Sequence, residues 1–213
     1  MTLELPHFEK RVSLKGISWE LYQHMLSEIG DGSTRLTYDE GRLEIMAPSG
    51  LHEQVKKVLA RLIEAYCDGK NIKLEGLGST TFDRERLRKG LEPDECYYIQ
   101  NASRIVGKED FDWEIDPPPD LAIEVDISRP DVARQPIYAA LGVTEIWRYD
   151  GQTVTPLRRI EDTTGARYIA IEKSVALPDL PMAEVNRLLV VGLKSGQSAA
   201  VSELREWMKA NPG

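Results

Sequence analysis

A glutamate inside an apolar run is the feature that most constrains what this chain folds into. The run is Leu121–Val125 (LAIEV), and it follows closely on three prolines at residues 117–119. Proline stops a helix and favours an extended approach, so the run predicts a buried central strand. A buried carboxylate is costly unless a metal, an arginine or backbone donors bind it. Glu124 is therefore either a salt-bridged or edge-of-sheet glutamate or a functional group, and this strand alone leaves both open.

A second carboxylate stands at the start of another predicted strand. Asp94 follows Pro93 and precedes the β-prone residues 96–99 (CYYI). On its own, such a Pro-Asp step is more often a turn. Adjacent strands that present Asp94 and Glu124 to one point would form an oxygen-ligand site suited to Mg²⁺ or Mn²⁺. The two-residue alternation of a strand also places Asp126 on the same face as Glu124.

The order of local patterns predicts an α/β (α+β) protein with a mixed sheet and helices packed on it. Helical spacing of apolar residues predicts helices at 18–29, 49–67, 182–193 and 198–209, the first two capped by Ser18 and Ser49. A helical segment over residues 128–141 should break or restart at Pro136. The strands are predicted at residues 35–38, 42–46, 72–77, 79–82, 96–99, 121–125, 145–149, 153–157 and 168–171.

Length and composition limit the class of protein. The 213 residues fit one domain, residues 1–195, with a C-terminal helical tail, residues 196–213, packed on it. Cys67 and Cys96 are expected to be free buried thiols. No segment approaches the roughly 18 consecutive apolar residues of a membrane helix. Residues 1–6 lack the basic start and apolar run of a signal peptide, so we expect a cytoplasmic protein.

The net charge of −8, from 35 acidic and 27 basic residues, counts against a simple electrostatic nucleic-acid binder. It weighs less against a metal-dependent nuclease, because such a site is built from carboxylates and carries bound cations. Basic residues near the two carboxylates either hold a nucleic-acid backbone or belong to solvated charged turns. They are Lys56, Lys57, Arg84, Arg86, Arg88, Lys89 and Arg129.

Several stretches together resemble a known family. They are residues 91–94 (LEPD), 118–125 (PPDLAIEV), 137–147 (IYAALGVTEIW) and 41–48 (GRLEIMAP). Over about residues 43–149 the chain resembles the small bacterial proteins assigned as endonucleases in the restriction-endonuclease-like PD-(D/E)XK superfamily. The resemblance implies a restriction-endonuclease-like mixed β-sheet of four or five strands flanked by helices. It also implies Mg²⁺-dependent hydrolysis of phosphodiester bonds in DNA.

The resemblance also assigns roles to individual residues. Asp94 and Glu124 would hold the Mg²⁺ (or Mn²⁺) ion, which lowers the pKa of a bound water and neutralises phosphate charge. Glu44 is a candidate third carboxylate near the metal, although an exposed strand glutamate is an equally open interpretation. His52 would orient a water or a phosphate, but a satisfied surface histidine is the favoured interpretation.

The sequence departs from the superfamily pattern at one position. That pattern has a lysine two residues after the glutamate, where this chain has Asp126. In the family a lysine can come instead from the following helix, four residues before Tyr138, where this chain has Arg134. Arginine stays protonated, so it cannot act as a general base, yet it can stabilise an anionic transition state. Asp126 and Arg134 are thus second-line catalytic candidates, unless they pair with each other and leave the site inert.

Three functions stay open from the sequence. The leading hypothesis is a metal-dependent endonuclease acting on DNA, and the alternative is a catalytically inactive protein of the same fold that serves in binding or interaction. A third is an enzyme that acts on small phosphorylated molecules. A homodimer is also expected, because many nucleases of this superfamily pair to cut two strands. Residues 185–191 and Trp207 either supply its contact or pack on the sheet.

Overall fold

The computed structural model describes residues 9–30 and 32–212. The signal-peptide prediction concerns residues 1–6, which lie outside the described residues. None of the described helices is both long enough and apolar enough to cross a membrane.

The described part of the chain alternates between strands and helices, as the α/β (α+β) prediction requires. In chain order the elements are β1 (Lys10–Lys15), α1 (Trp19–Ile29), β2 (Arg35–Asp39), β3 (Arg42–Ala47), α2 (Gly50–Lys70), β4 (Glu75–Gly76), β5 (Phe82–Arg84), a 3-10 turn (Glu85–Leu87), β6 (Lys89–Leu91), β7 (Glu95–Tyr98), α3 (Ala102–Ile105), β8 (Leu121–Val125), α4 (Arg134–Leu141), β9 (Glu145–Tyr149), β10 (Val154–Asp162), β11 (Gly165–Ala170), α5 (Met182–Ser195) and α6 (Gln197–Ala210).

The strands form two sheets, where the sequence indicated one sheet of four or five strands. One sheet has the order β1-β3-β2-β6-β5, and the other has the order β11-β10-β9-β8-β7-β4. Neither β1 nor β6 was predicted, and β5 at residues 82–84 overlaps only the last residue of the strand predicted at 79–82. These strands are short and largely polar, so their pairing with the β2–β3 hairpin decides their structure, and local propensity does not.

The predicted central strand is confirmed. All five residues of β8 are buried, and β8 runs parallel to β9 and antiparallel to β7. The crossover between β8 and β9 contains α4, which begins at Arg134 and ends at Gly142 with a positive φ of 92°. Pro136 lies in the first turn of α4, where its missing N–H is tolerated, so the helix starts near Pro136, as one of the two predicted alternatives has it, and is not broken there. The predicted helix start at residue 128 is therefore too early, and residues 126–133 form a loop.

Both predicted serine caps are confirmed. Oγ of Ser18 accepts from the Leu21 N–H at 3.2 Å, and Oγ of Ser49 accepts from the His52 N–H at 3.2 Å. Helix α2 continues to Lys70, three residues beyond the predicted end at Cys67. His52 lies in the first turn of α2 and is the first residue of the buried face of this helix. Its side chain therefore points into the protein.

Helices α2 and α5 pack on one face of the second sheet with α6 against both helices, and α4 packs on the other face. The larger core joins residues such as Leu59, Ile123, Trp147, Leu188 and Leu204. Part of residues 185–191 therefore packs on the sheet, since Val185, Leu188 and Leu189 are buried. The smaller core on the α4 face contains Cys96, Ala122 and Ile146. The thiols of Cys67 and Cys96 are free and buried, as predicted.

Candidate active site

The structure brings the two predicted ligands together at the point where β7 begins and β8 ends. The Asp94 N–H donates to the carbonyl of Ile123 at 3.1 Å, and Oδ2 of Asp94 accepts from the Val125 N–H at 2.7 Å. Asp94 therefore lies beside Glu124 on the neighbouring strand. Both side chains are buried, with exposed fractions of 1% and 3%. The clustering that the sequence analysis inferred from strand positions is present.

Glu124 has two partners on α4. Its Oε2 lies 2.6 Å from Nη1 of Arg134, and its Oε1 accepts a hydrogen bond from the hydroxyl of Tyr138. Burial raises the pKa of Glu124 to about 8, even though Arg134 acts to lower it, and the charge of Asp94 adds to the rise. Burial would lower the pKa of Arg134, but the Glu124 carboxylate outweighs burial and raises it. Arg134 is thus a buried cation bound to the proposed metal ligand.

Asp126 pairs with Arg148, and the structure shows no Asp126–Arg134 ion pair. Oδ2 of Asp126 lies 2.6 Å from Nε of Arg148. The Asp126–Arg134 pair that the sequence analysis considered is therefore not formed. Asp126 and Glu124 face the same cavity of about 510 Å³, as strand alternation predicted. The cavity is lined by Glu124, Asp126, Arg129, Pro130, Asp131, Ala133, Arg134, Gln135, Pro136, Tyr138, Ile146 and Arg148.

Glu44 is buried and engaged away from the Asp94–Glu124 pair. Its Oε1 lies 2.5 Å from Nη1 of Arg11, and its Oε2 accepts from the backbone N–H groups of Asp131 at 2.6 Å and Val132 at 3.2 Å. Within residues 9–30 and 32–212, no three or more His, Cys, Asp and Glu side chains are grouped as a metal site. Glu44 therefore does not complete such a group with Asp94 and Glu124, and its ligand role stays a prediction.

His52 lies inside the protein, so the favoured interpretation of a surface histidine is wrong. Its exposed fraction is 1%. Nδ1 of His52 lies 2.7 Å from Oε1 of Glu9. Nε2 lies 2.9 Å from Oδ1 of Asp94, and these two atoms form an ion pair without the angles of a hydrogen bond. Burial acts to lower the pKa of His52, but Asp94 and Glu9 outweigh burial and raise it to about 9. Burial would raise the pKa of Asp94, and the contact with His52 lowers it instead.

Sequence reasoning missed one member of this group and undervalued another. Glu9 precedes the unpredicted strand β1, and nothing in its neighbourhood signals burial. His52 did carry a signal, because it lies three and seven residues before Val55 and Leu59. Those spacings place all three side chains on one helical face.

The buried state of His52 leads to an expected pH dependence of stability. Its pKa rises from 6.5 to about 9 between Glu9 and Asp94. Because the folded protein binds the His52 proton more tightly than the unfolded chain does, protonated His52 stabilises the folded state fully below pH 6.5. This stabilisation is lost as the pH rises through 9. The free energy of unfolding should therefore fall over this interval, by up to about 3 kcal/mol. The pKa of Glu124 is raised from 4.5 to about 8, so this group also lowers the free energy of unfolding as the pH rises from 4.5 through 8.

Urea denaturation at the two ends of this interval measures the fall. The His52→Gln variant should lose the part that belongs to His52, whereas the exposed His24→Gln variant should keep it. An unchanged pH dependence in His52→Gln would contradict the assignment.

The donor atoms at the site fit a hard divalent cation. Three carboxylate oxygens are buried without a hydrogen-bond partner: Asp94 Oδ1, Glu124 Oε2 and Asp126 Oδ1. Mg²⁺ commonly takes one or two protein carboxylates and completes its octahedron with water and substrate phosphate, so two ligands suffice. Nη1 of Arg134 lies 2.6 Å from the same Glu124 oxygen, so a bound cation would compete with it.

Several of the predicted basic residues are paired with acidic groups or engaged with backbone. Arg86 binds Glu114 at 2.8 Å, and Lys56 binds Glu53 at 3.3 Å. Lys89 binds Asp39 and Glu40. Nε of Arg84 donates to the carbonyl of Trp113 at 2.8 Å. Arg129 lines the cavity beside Glu124. The basic residues that are paired away from the cavity therefore fit solvated charged turns better than a surface that holds a nucleic-acid backbone.

Comparison with known proteins gives the fold and the family of this chain. Among solved structures, the chain is similar to "a putative nuclease belonging to DUF820 from Anabaena variabilis ATCC 29413", with 17% identity, a TM-score of 0.51, and coverage of 81% of this chain and 99% of that chain. At this identity the similarity shows a shared fold, in agreement with the predicted mixed α/β class. No curated protein matches the chain. A family sequence model described as "Uma2: Putative restriction endonuclease" matches residues 19–190. This match covers most of the chain, so the protein belongs to the Uma2 family.

Proposed function

We propose that this protein is a metal-dependent endonuclease that hydrolyses phosphodiester bonds in DNA, with Mg²⁺ or Mn²⁺ held by Asp94 and Glu124. The observation that carries the proposal is the pairing of two buried carboxylates on neighbouring strands. Each has one oxygen that accepts no hydrogen bond and faces a basic side chain, His52 for Asp94 and Arg134 for Glu124, and Glu124 lines a cavity. Membership of a family described as a restriction endonuclease supports the reaction class.

The residues around the pair have separate tasks in this proposal. When bound, the cation would lower the pKa of a water molecule and neutralise charge on the phosphate. The Val125 N–H orients Asp94, and the hydroxyl of Tyr138 orients Glu124. Arg134 stays protonated, so it stabilises anionic charge and takes no proton from water. Arg148 orients Asp126 through Oδ2, and the buried Oδ1 of Asp126 has no hydrogen-bond partner.

Two other functions each have a supporting observation. Arg134 already neutralises Glu124, and the chain is acidic, which favours a catalytically inactive interaction protein. The cavity of about 510 Å³ has the size of a small-molecule site, which favours an enzyme acting on small phosphorylated compounds.

Nicking of supercoiled plasmid tests the proposal directly. We expect nicking with Mg²⁺ or Mn²⁺ and none with EDTA, and the activity should follow the protein peak through size-exclusion chromatography. Titration with Mn²⁺ followed by electron paramagnetic resonance measures binding separately. If the protein neither binds millimolar Mn²⁺ nor nicks DNA, the nuclease proposal fails and a catalytically inactive interaction protein becomes the favoured function. Competition between nucleotides and duplex DNA distinguishes the small-molecule enzyme.

A homodimer stays part of the proposal, because cutting both strands of a duplex requires two active sites or two events. Light scattering should then give a mass of twice the 24.0 kDa of one chain. The cytoplasmic location stays a prediction from the sequence.

A further inference from the structure

Two charged side chains reach the site from outside the family match: Glu9, directly before β1, and Arg11, within β1. The match begins at residue 19, whereas Glu9 and Arg11 precede it. Glu9 is buried, and the side chain of Arg11 is only 9% exposed. Burying these charges is unfavourable unless each is fully paired, so their partners identify what they hold in place.

Both oxygens of Glu9 bind groups at the site. Oε1 lies 2.7 Å from Nδ1 of His52, whose other ring nitrogen faces Asp94. Oε2 accepts from the hydroxyl of Ser128 at 2.5 Å and from Nη2 of Arg11 at 2.7 Å. Glu9 therefore binds one side of the His52 ring, and Asp94 binds the other side.

Arg11 extends the same network to the loop of residues 126–133, which follows β8 and lines the cavity. Its Nη1 lies 2.5 Å from Glu44, which accepts from the backbone N–H of Asp131. Its Nε donates to the hydroxyl of Ser128 at 3.2 Å. The strand β1 is thus bonded to α2, to β3 and to the loop that lines the cavity.

We propose that Glu9 is a positioning residue that fixes Asp94 for metal binding by holding the ring of His52 between the two carboxylates. An imidazole bound at one nitrogen can still turn about that contact, whereas a ring bound at both nitrogens keeps one orientation. Partners of this kind behind a metal ligand change metal affinity by about 10- to 100-fold. The inference rests on the proposed role of Asp94 as a metal ligand, and it adds a residue that the family match does not include.

Mn²⁺ affinity, measured by electron paramagnetic resonance on the full-length protein, gives the first test. Glu9→Ala should weaken Mn²⁺ binding by about 10-fold, the lower end of the range for a direct partner of a metal ligand, because Glu9 acts through His52. The double variant Glu9→Ala/His52→Ala should bind no more weakly than His52→Ala, because Glu9 acts through His52. Glu9→Gln keeps an acceptor for the His52 Nδ1–H, so its affinity should lie closer to wild type than that of Glu9→Ala. Glu28→Ala, which removes an exposed glutamate of α1, should leave the affinity unchanged.

These variants separate positioning from simple charge. Glu9→Gln and Glu9→Ala both remove the negative charge of Glu9, so equal affinities in the two would overturn the proposal. Additive effects of Glu9→Ala and His52→Ala would overturn it as well.

A measurement without metal keeps the inference separate from the nuclease proposal. The Val125 N–H donates to Asp94 at 2.7 Å, so its amide proton resonance reports the position of that carboxylate. In the metal-free protein, Glu9→Ala should shift this resonance, while Glu28→Ala should not. If wild type binds no Mn²⁺, the nuclease proposal fails and the Val125 resonance alone decides the positioning role. An unmoved Val125 resonance in folded Glu9→Ala overturns that role whether or not metal binds.

Discussion

Replacing Asp94 with asparagine, or Glu124 with glutamine, is expected to abolish metal-dependent cleavage of DNA. Each change keeps the shape of the side chain and removes the negative charge that would hold the cation. The transition state would lose several kcal/mol of stabilisation, which corresponds to a fall in rate of about 10³-fold or more. Burial already raises the pKa of Glu124 to about 8, so a neutral glutamine at this position should be compatible with the fold.

The plasmid nicking rate of each variant measures this effect. Asp110→Asn and Glu172→Gln are matched controls, because both remove an exposed carboxylate by the same chemical change. Circular dichroism and thermal unfolding verify that all four variants fold. Undiminished cleavage by both site variants, in protein free of contaminating nuclease, would show that the reaction occurs elsewhere.

Above the pKa of Glu124, about 8, the Arg134→Ala variant should lose about 3 to 5 kcal/mol of stability, because it leaves the ionised Glu124 buried without its cation. For a chain of this size the melting temperature should fall by about 2 to 4 °C for each kcal/mol. The loss should be smaller at pH 5 than at pH 8, since Glu124 can relieve its isolation by taking up a proton.

Urea denaturation of Arg134→Ala against wild type measures this loss. Arg205→Ala, which truncates an exposed arginine of α6, should stay within about 0.5 kcal/mol of wild type. The double variant Arg134→Ala/Glu124→Gln should recover part of the loss, because the isolated charge is then gone. If Arg134→Ala is as stable as Arg205→Ala, the Glu124–Arg134 pair does not stabilise the fold.

Both predictions concern a site in which each buried carboxyl group faces a basic side chain of the same protein. His52 lies against Asp94, and Arg134 lies against Glu124, so each buried carboxylate has its own cation. Both basic groups would compete with a divalent ion for the oxygens of Asp94 and Glu124. Arg134 thus both stabilises the metal-free fold and competes for the proposed ligand, which explains how one residue supports the nuclease and the inactive interpretation alike.

Local sequence determined the elements that carry the site. The apolar run after residues 117–119 defines β8, the serine caps define the starts of α1 and α2, and glycine with positive φ ends α4. The motifs around Asp94 and Glu124 were enough to predict the family and the pairing of these carboxylates. These features depend on residues close together in the chain, so propensity and spacing can reveal them.

Only the tertiary structure decided which charges meet. Glu9 lies 43 residues before His52, and Arg134 lies 42 residues after the carbonyl that it binds at Glu92. No spacing rule connects such partners, because they meet through the packing of β1, α2 and α4 around β8. The same packing buries His52, pairs Asp126 with Arg148 and divides the strands between two sheets. The sequence therefore identified the two carboxylates, and the fold determined what surrounds them.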